Sequence, residues 1–307
     1  AGAQAVKAVG GLCIAQDPEA AQYPSMPRHL IDAGYADHVL RVADMPEVLI
    51  RYAGSPYATG GREASAEDAL RREGHHLREI LAVLRTRTRR DFSGYKRPTV
   101  LRRVQRRMGL ARAADLGAYA RLLRQFPTEL TALADDLLIH VTGFFRDADA
   151  WEAVREKVVA PLVAAREPGA AVRAWVAACS SGEEAYSLAI LLVEAAERAG
   201  KPLDVKVFAT DLADHTLARA RAGLYPGGIE SEVSPERLER FFVREAEQYR
   251  VRADLRDRVV FAPQNILQDP PFSRLDIATC RNLLIYLEPE MQRRVLALLH
   301  FGLREGG

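Results

Sequence analysis

Cysteine is scarce: Cys13, Cys179 and Cys280 are the only three in 307 residues. An odd set at such separations has neither disulfide nor metal-ligand spacing. It therefore argues against a stapled secreted fold or a structural metal site and fits a reducing cytoplasm. Long apolar runs are also missing. No stretch approaches the roughly 18 residues of a membrane span and no signal peptide is visible, so membrane insertion is not expected. Charge of one sign is lacking: 43 Lys and Arg face 41 Asp and Glu, which leaves the chain as a whole without a pull towards nucleic acid. Two phosphate-binding signatures are absent as well, Gly-x-Gly-x-x-Gly and a loop ending in Gly-Lys-Ser/Thr. No Ser/His/Asp or metal constellation stands out.

What is present is apolar content, at 48%, enough for real cores and, at this length, for two domains. The most informative stretch runs from Val172 to Ala189. An apolar run to Ala178 meets the small-residue turn Cys179-Ser180-Ser181-Gly182, and a helical pattern follows from Glu183. This reads as strand, turn, helix. In an open parallel sheet such a turn faces the ligand crevice, and Ser and Gly let the backbone come close to a ligand. Glu183 and Glu184 put negative charge where a phosphate-binding helix would offer bare N–H groups. That suits a ligand with a cation and hydroxyls, such as S-adenosylmethionine. A simply capped helix with acids at its positive end explains the same residues.

Downstream, apolar segments at Asp204–Ala209, Val259–Phe261 and Leu275–Thr279 read as further core strands. Asp211, Asn265, Arg281 and Asn282 all fall just past strand ends, the convergence expected of a binding crevice. Asp211 is placed to hold ribose hydroxyls; capping the next helix is its alternative role. Phe241–Val243 and Tyr249–Val251 suggest an inserted hairpin.

Upstream, Gly54 to Ser65 has linker composition, and helical patterning begins near Ala66. Between Arg85 and Arg112 eleven basic residues face a single acid, Asp91. In the helix opening at Pro98, Arg102, Arg103, Arg106 and Arg107 fall opposite the apolar face of Val100, Leu101, Val104 and Met108. Such an arc is either merely solvated or a dock for an acidic partner. Few aromatics interleave with it, which speaks against unpaired bases. Two further helices, about 114–126 and 128–138, complete a small helical unit.

The first residues read as alternating helix and strand, too short to bury a core alone. Gly-Gly-Leu-Cys-Ile-Ala-Gln-Asp-Pro-Glu (10 to 19) and Ser-Met-Pro (25 to 27) closely resemble the C-terminal end of the chemotaxis protein-glutamate methylesterase domain, CheB. That family's nucleophile and triad partners lie upstream of this segment. His29 and His38 are accordingly surface histidines, and no esterase activity is expected.

Cys-Ser-Ser-Gly-Glu-Glu-Ala-Tyr-Ser (179 to 187), Cys-Arg-Asn-Leu-Leu-Ile-Tyr (280 to 286), Val-Thr-Gly-Phe-Phe-Arg (141 to 146) and Ala-Thr-Asp-Leu (209 to 212) together resemble the chemotaxis receptor methyltransferase family, CheR, over about Leu70 to Gly307. The resemblance implies an α/β fold: a Rossmann-like, class I S-adenosylmethionine-dependent domain preceded by a small all-α domain and an α/β remnant. The expected division is 1–53 methylesterase remnant, 54–65 linker, 66–138 helical domain and 139–307 catalytic domain.

The implied activity is methyl transfer from S-adenosylmethionine to glutamates of the cytoplasmic helical bundle of chemoreceptors. S-adenosylhomocysteine would be the product, the compartment cytoplasmic, and neither nucleic acid nor a metal is expected. By the same resemblance His140, Thr142 and Arg146 contact the cofactor from the linker, and Glu183 or Glu184 takes its ammonium. Asp211 takes the ribose, while Asn265 and Ile266 frame the adenine. Arg281 and Asn282 also contact the cofactor and, with Tyr286, line the pocket for the acceptor glutamate. Arg146 and Tyr286 are the catalytic candidates, and Arg102, Arg103, Arg106 and Arg107 the receptor contact.

Two positions depart from the family pattern, His140 for Asn and Ala185 for Pro. The family domain normally continues into a final hairpin, so the sequence also reads as a truncated domain with an open sheet edge. The competing functions are a non-catalytic cofactor-binding scaffold and a nucleic-acid methyltransferase; for the latter, no Pro-Pro-Tyr/Phe element follows the fourth strand.

Overall fold

The opening residues fold as their short apolar runs predict. Helix α1 (Gly2–Ala8) precedes strand β1 (Ile14–Gln16), which pairs in parallel with β2 (His38–Leu40) across helix α2 (Ser25–Asp32). Helix α3 (Met45–Ala53) follows. The computed structural model describes residues 2–8, 11–54, 66–139 and 141–307. Apart from Gly54, the expected linker lies outside the described residues. Ala1–Ile139 and His140–Gly307 form two compact units.

In the first unit, helices α4 (Ala66–Thr88), α5 (Arg97–Ala111), α6 (Leu116–Gln125) and α7 (Pro127–Leu137) pack through Ile80, Leu84, Val104, Leu123 and Leu133, all nearly inaccessible to water. Pro98 sits in the first turn of α5, where its missing N–H leaves no bond unmade. Asp115 caps α6 by accepting from the Ala118 amide at 2.7 Å.

The four arginines of α5 do not form one open face, contrary to the helical-wheel reading. Arg102 is exposed, but Arg103 and Arg106 are only 3% and 1% exposed. Arg106 donates to both oxygens of Asp136 at 2.7 Å and is also bonded to Asp37. Arg103 donates to the Lys7 carbonyl at 3.3 Å. Arg107 forks onto Glu129, which also accepts from the Tyr119 hydroxyl at 2.7 Å. The cause is tertiary: α7 and the first residues of the chain cover that side of α5, and a wheel drawn on one helix contains neither. Burial alone would lower the Arg106 guanidinium, but Asp136 and Asp37 outweigh it and hold it above its ordinary value. His29 and His38, expected at the surface, are both half-buried.

Asp37 also ties its own segment together, accepting from the Lys7 ammonium at 2.6 Å and the Cys13 amide at 2.8 Å. Asp37→Asn is expected to lower the unfolding free energy of this unit by about 2 kcal/mol, the scale of a hydrogen bond to a charged group. Urea titration at neutral pH reads it, and an unchanged midpoint would show the ion pair to be energetically idle.

The second unit opens with α8 (Ala148–Val154), a π-helical turn at Arg155–Val159 and α9 (Ala160–Ala164). The pattern from Trp151 to Ala165 predicts one helix here. Pro161 supplies the reason for the widened turn, since it has no N–H to give to a regular ladder. Strand β3 (Ala171–Ala177) leads to α10 (Glu183–Arg198), β4 (Asp204–Asp211) and α11 (Asp214–Ala222).

Next comes a small antiparallel sheet. It is not the expected hairpin but three strands, β5 (Leu224–Pro226), β6 (Phe242–Glu245) and β7 (Gln248–Val251), in the order β5-β7-β6, with α12 (Pro235–Phe241) between the first two. Pro226 disguises β5, being tolerated only because that strand is an edge. Helix α13 (Ala253–Arg256), β8 (Val259–Pro263), β9 (Ile277–Thr279) and α14 (Pro289–Gly302) complete the unit. The fourth core strand begins later than predicted because Leu275 bridges to Leu303 instead.

The main sheet has the order β8-β4-β3-β9, with every pair parallel. The connections lead from β3 to β4 and β8 on one side and then return to place β9 on the other side of β3, so the strand order switches between β3 and β9 and a crevice is expected beyond their carboxyl ends. No helix among the described residues is long and apolar enough to cross a membrane.

Candidate functional site

The turn after β3 is conformationally strained and tightly held. Ala178, Ser180 and Gly182 have φ of 59°, 51° and 94°. A left-handed residue other than glycine costs on the order of 1 kcal/mol and persists only where surroundings impose it. Here they do. The Cys179 amide donates to the Thr210 carbonyl at 2.9 Å, the Ser180 amide to Asp211 Oδ2 at 2.8 Å, and the Tyr225 hydroxyl to the Ser181 carbonyl at 2.7 Å. Gly182 is required: a Cβ there would lie 2.8 Å from the Ala220 side chain. Phe145, Asp147 and Asn282 are also left-handed, with φ of 49°, 60° and 61°, so the strain gathers beside the functional candidates Arg146 and Arg281.

The two acids that open α10 part company. Glu183 turns onto the Ser181 hydroxyl, which donates to both its oxygens at 2.9 and 2.8 Å, and burial raises its carboxyl above the usual range. Glu184 accepts from the Thr279 hydroxyl at the end of β9, at 2.7 Å. Burial pushes its carboxyl up to about 7, against the opposing pull of Thr279, Arg281 and Arg146. Of the pair, Glu184 is the one acted on by Arg281 and Arg146, and Glu183 by Arg219.

The guanidinium groups of Arg146 and Arg281 are themselves anchored. Arg146 donates to the Val141 carbonyl at 2.6 Å, and Arg281 donates to the Arg146 carbonyl at 2.7 Å and to Asp147 at 2.8 Å, with the Trp151 ring beneath it. The loop bearing Arg146 is thereby fixed to the segment after β9. Asp211 closes the other side, accepting also from the Ala213 amide at 3.0 Å. The Gln264 amide donates to the Asp211 carbonyl at 3.0 Å and brings the end of β8 alongside. Asn265 and Ile266 are buried there; the Asn265 side-chain carbonyl accepts from the Leu267 amide at 3.0 Å.

Thr142, Asn282 and Tyr286 are half-buried, and His140 lies outside the described residues. Sequence reasoning passed over Thr279, the hydroxyl on Glu184, although its place at a strand end signals it. It also missed Glu232, which accepts from the Phe144 amide at 2.8 Å from 88 residues away, where no local pattern could reveal it.

The chemistry of the donor set excludes one mechanism. Burial, reinforced by Glu184, pushes the Cys280 thiol up to about 12, and burial with Asp211 and Glu184 raises Cys179 well above its ordinary value. Neither sulfur is a thiolate at neutral pH, so neither serves as a nucleophile.

The model of the CheR methyltransferase SAM-binding domain matches residues 140–307, more than half of the chain, and the CheR all-alpha domain matches 75–138. The chain belongs to the CheR methyltransferase family. The CheB methylesterase model matches residues 1–49. A chemotaxis protein methyltransferase of Escherichia coli is 33% identical over 72% of this chain and 77% of its own length. One from Klebsiella aerogenes is 32% identical over 84% of this chain and 86% of its own. An uncharacterized 104.1 kDa protein of Rhodobacter capsulatus is 40% identical over the whole chain, which spans only 34% of that relative.

S-adenosylmethionine is the cofactor of this CheR domain, and the residues present fit it. The buried Ser180 hydroxyl has no hydrogen-bond partner among the described residues, a donor left over in the very turn the crevice presents. The Asp211 oxygens each accept one amide and retain lone pairs for ribose hydroxyls. Glu184 is a buried carboxylate short of positive charge, which a ligand ammonium would supply.

Proposed function

We propose that this chain is a protein-glutamate O-methyltransferase acting in the cytoplasm on the helical bundle of chemoreceptors. The observation carrying the reading is the buried Glu184 carboxyl beyond the ends of β3 and β9, held by the Thr279 hydroxyl and within the electrostatic reach of Arg281 and Arg146, which are bonded to backbone carbonyls instead. That arrangement offers one negative and two positive groups, suited to a zwitterionic methionine end and to an incoming carboxylate. Glu184 is the ammonium partner, Asp211 the ribose partner, and Asn265 and Ile266 border the adenine.

A glutamate side chain titrates at about 4.3 and is already ionised at neutral pH, so the reaction needs no general base. When bound, S-adenosylmethionine supplies an activated methyl group on its sulfonium. The chain's task is positioning: aligned geometry of this kind can lower a barrier by several kcal/mol, up to about 10. Arg146 and Tyr286 hold the acceptor carboxylate, while Arg281 acts through the Arg146 carbonyl as a positioning residue. Arg102, the exposed arginine of that set on α5, provides the first contact with the acidic receptor.

Transfer of labelled methyl from S-adenosylmethionine to a purified chemoreceptor cytoplasmic fragment tests the reading. Label released as methanol in mild alkali is expected, as for an ester. S-adenosylhomocysteine binding with no transfer would instead favour a non-catalytic scaffold. Arg146→Ala is expected to lower turnover on the order of 10²-fold and Tyr286→Phe more gently. Turnover equal to wild type in both would remove these side chains from the mechanism.

A further inference from the structure

The arginines buried on α5 are shared between Asp136 of α7 and a carboxylate that belongs to the chain's own first segment, so Arg106 keeps one partner when that segment leaves. Asp37 is 4% exposed at its side chain and bonded to Arg106, while the Lys7 carbonyl accepts from Arg103. The same carboxylate takes the Lys7 ammonium and the Cys13 amide, and the Asp37 amide donates to the Cys13 carbonyl at 2.7 Å. Lys7, β1 and β2 therefore converge on the Asp37 side chain, which is bonded to α5. Arg106 Nε lacks a partner among the described residues, so the guanidinium keeps one donor unspent even in this arrangement.

One carboxylate can stand in for another: what bonds Arg106 from within the chain has the chemistry of what would bond it from a receptor. We propose that residues 2–54 are an intramolecular occupant of the arginine helix, with Asp37 and the Lys7 carbonyl in the places of an acidic helical partner. The partner must displace this segment to engage Arg103 and Arg106. The methylesterase-like piece thereby restrains docking without any esterase chemistry of its own. This inference rests on the reading that α5 docks the acidic receptor bundle. Until displacement, of the four arginines only Arg102 is openly presented.

Because the occluded form binds in proportion to its open fraction, weakening the occupant tightens apparent affinity. The test uses the full chain and a chemoreceptor cytoplasmic fragment at low salt. Asp37→Asn is expected to bind the fragment about tenfold more tightly than wild type. In wild type, adding the fragment is expected to speed hydrogen exchange at the Gln16 and Asp37 amides, a readout that needs no variant to fold. Fragment binding equal in both proteins, or exchange unchanged or slowed by the fragment, would overturn the occupant. Absence of fragment binding by either protein, with S-adenosylhomocysteine still bound, would overturn the docking reading and this inference with it. Arg102→Glu separates the two: weakened binding in both backgrounds supports docking through α5 whether or not the occupant is real.

Discussion

Replacing Glu184 with glutamine is expected to weaken S-adenosylhomocysteine binding on the order of 10³-fold at pH 7.5, because it removes one member of a buried charge pair. The wild-type affinity should itself depend on pH. The Glu184 carboxyl sits at about 7 in the ligand-free protein, so below that value a proton must leave before the ammonium is bound. Affinity is thus expected to fall about tenfold per pH unit on descending below 7, with proton release on binding. Stability of the ligand-free protein runs the other way. A carboxyl whose folded value is raised contributes fully below its unfolded value near 4.3, and the contribution is lost as pH rises through 7. Glu184→Gln should flatten both dependences. Calorimetric titration in buffers of different ionisation enthalpy measures the affinity and the protons together. A wild-type affinity flat between pH 5.5 and 7 would show that another group receives the ammonium.

Asp211→Ala is expected to abolish detectable cofactor binding and to destabilise the second unit by about 2–6 kcal/mol. It leaves the Ser180 and Ala213 amides buried without acceptors, each on the scale of 1–3 kcal/mol. The larger consequence is conformational. Ala178 and Ser180 occupy left-handed backbone only because neighbouring groups hold them there, and Asp211 is the side chain that holds the Ser180 amide. Asn in its place retains an acceptor and should be milder. Thermal melts with and without S-adenosylhomocysteine check this: the ligand should raise the wild-type midpoint and leave that of Asp211→Ala unmoved. A ligand-induced rise in the alanine variant would assign the ribose to a different group.

The two signals that mattered most differ in how far they could be read from sequence. The turn from Cys179 to Gly182 was legible because its chemistry is local: an apolar run, small residues, then acids opening a helix. The placement of Asp211 and Arg281 was legible for the same reason, since strand ends in a parallel sheet share one edge. The choice between Glu183 and Glu184 was not. Their surroundings differ because Ser181 donates to one and Thr279 to the other, and Thr279 lies 95 residues from its partner.

The arginines of α5 show the opposite failure. Periodicity placed them correctly on a helix, but their burial depends on Asp37 and Asp136, 69 and 30 residues from Arg106. Pro226 hid a third strand, because proline marks a strand as improbable until its position at an edge is known.

A crystal structure of the chain with S-adenosylhomocysteine tests most directly whether the crevice beyond β3, β4 and β9 is where the methyl donor sits. The predicted result places the ligand ammonium within hydrogen-bonding distance of Glu184 and the ribose hydroxyls on Asp211, beside the Ser180 turn. A ligand bound elsewhere, or one in the crevice with its ammonium turned away from Glu184, would contradict it.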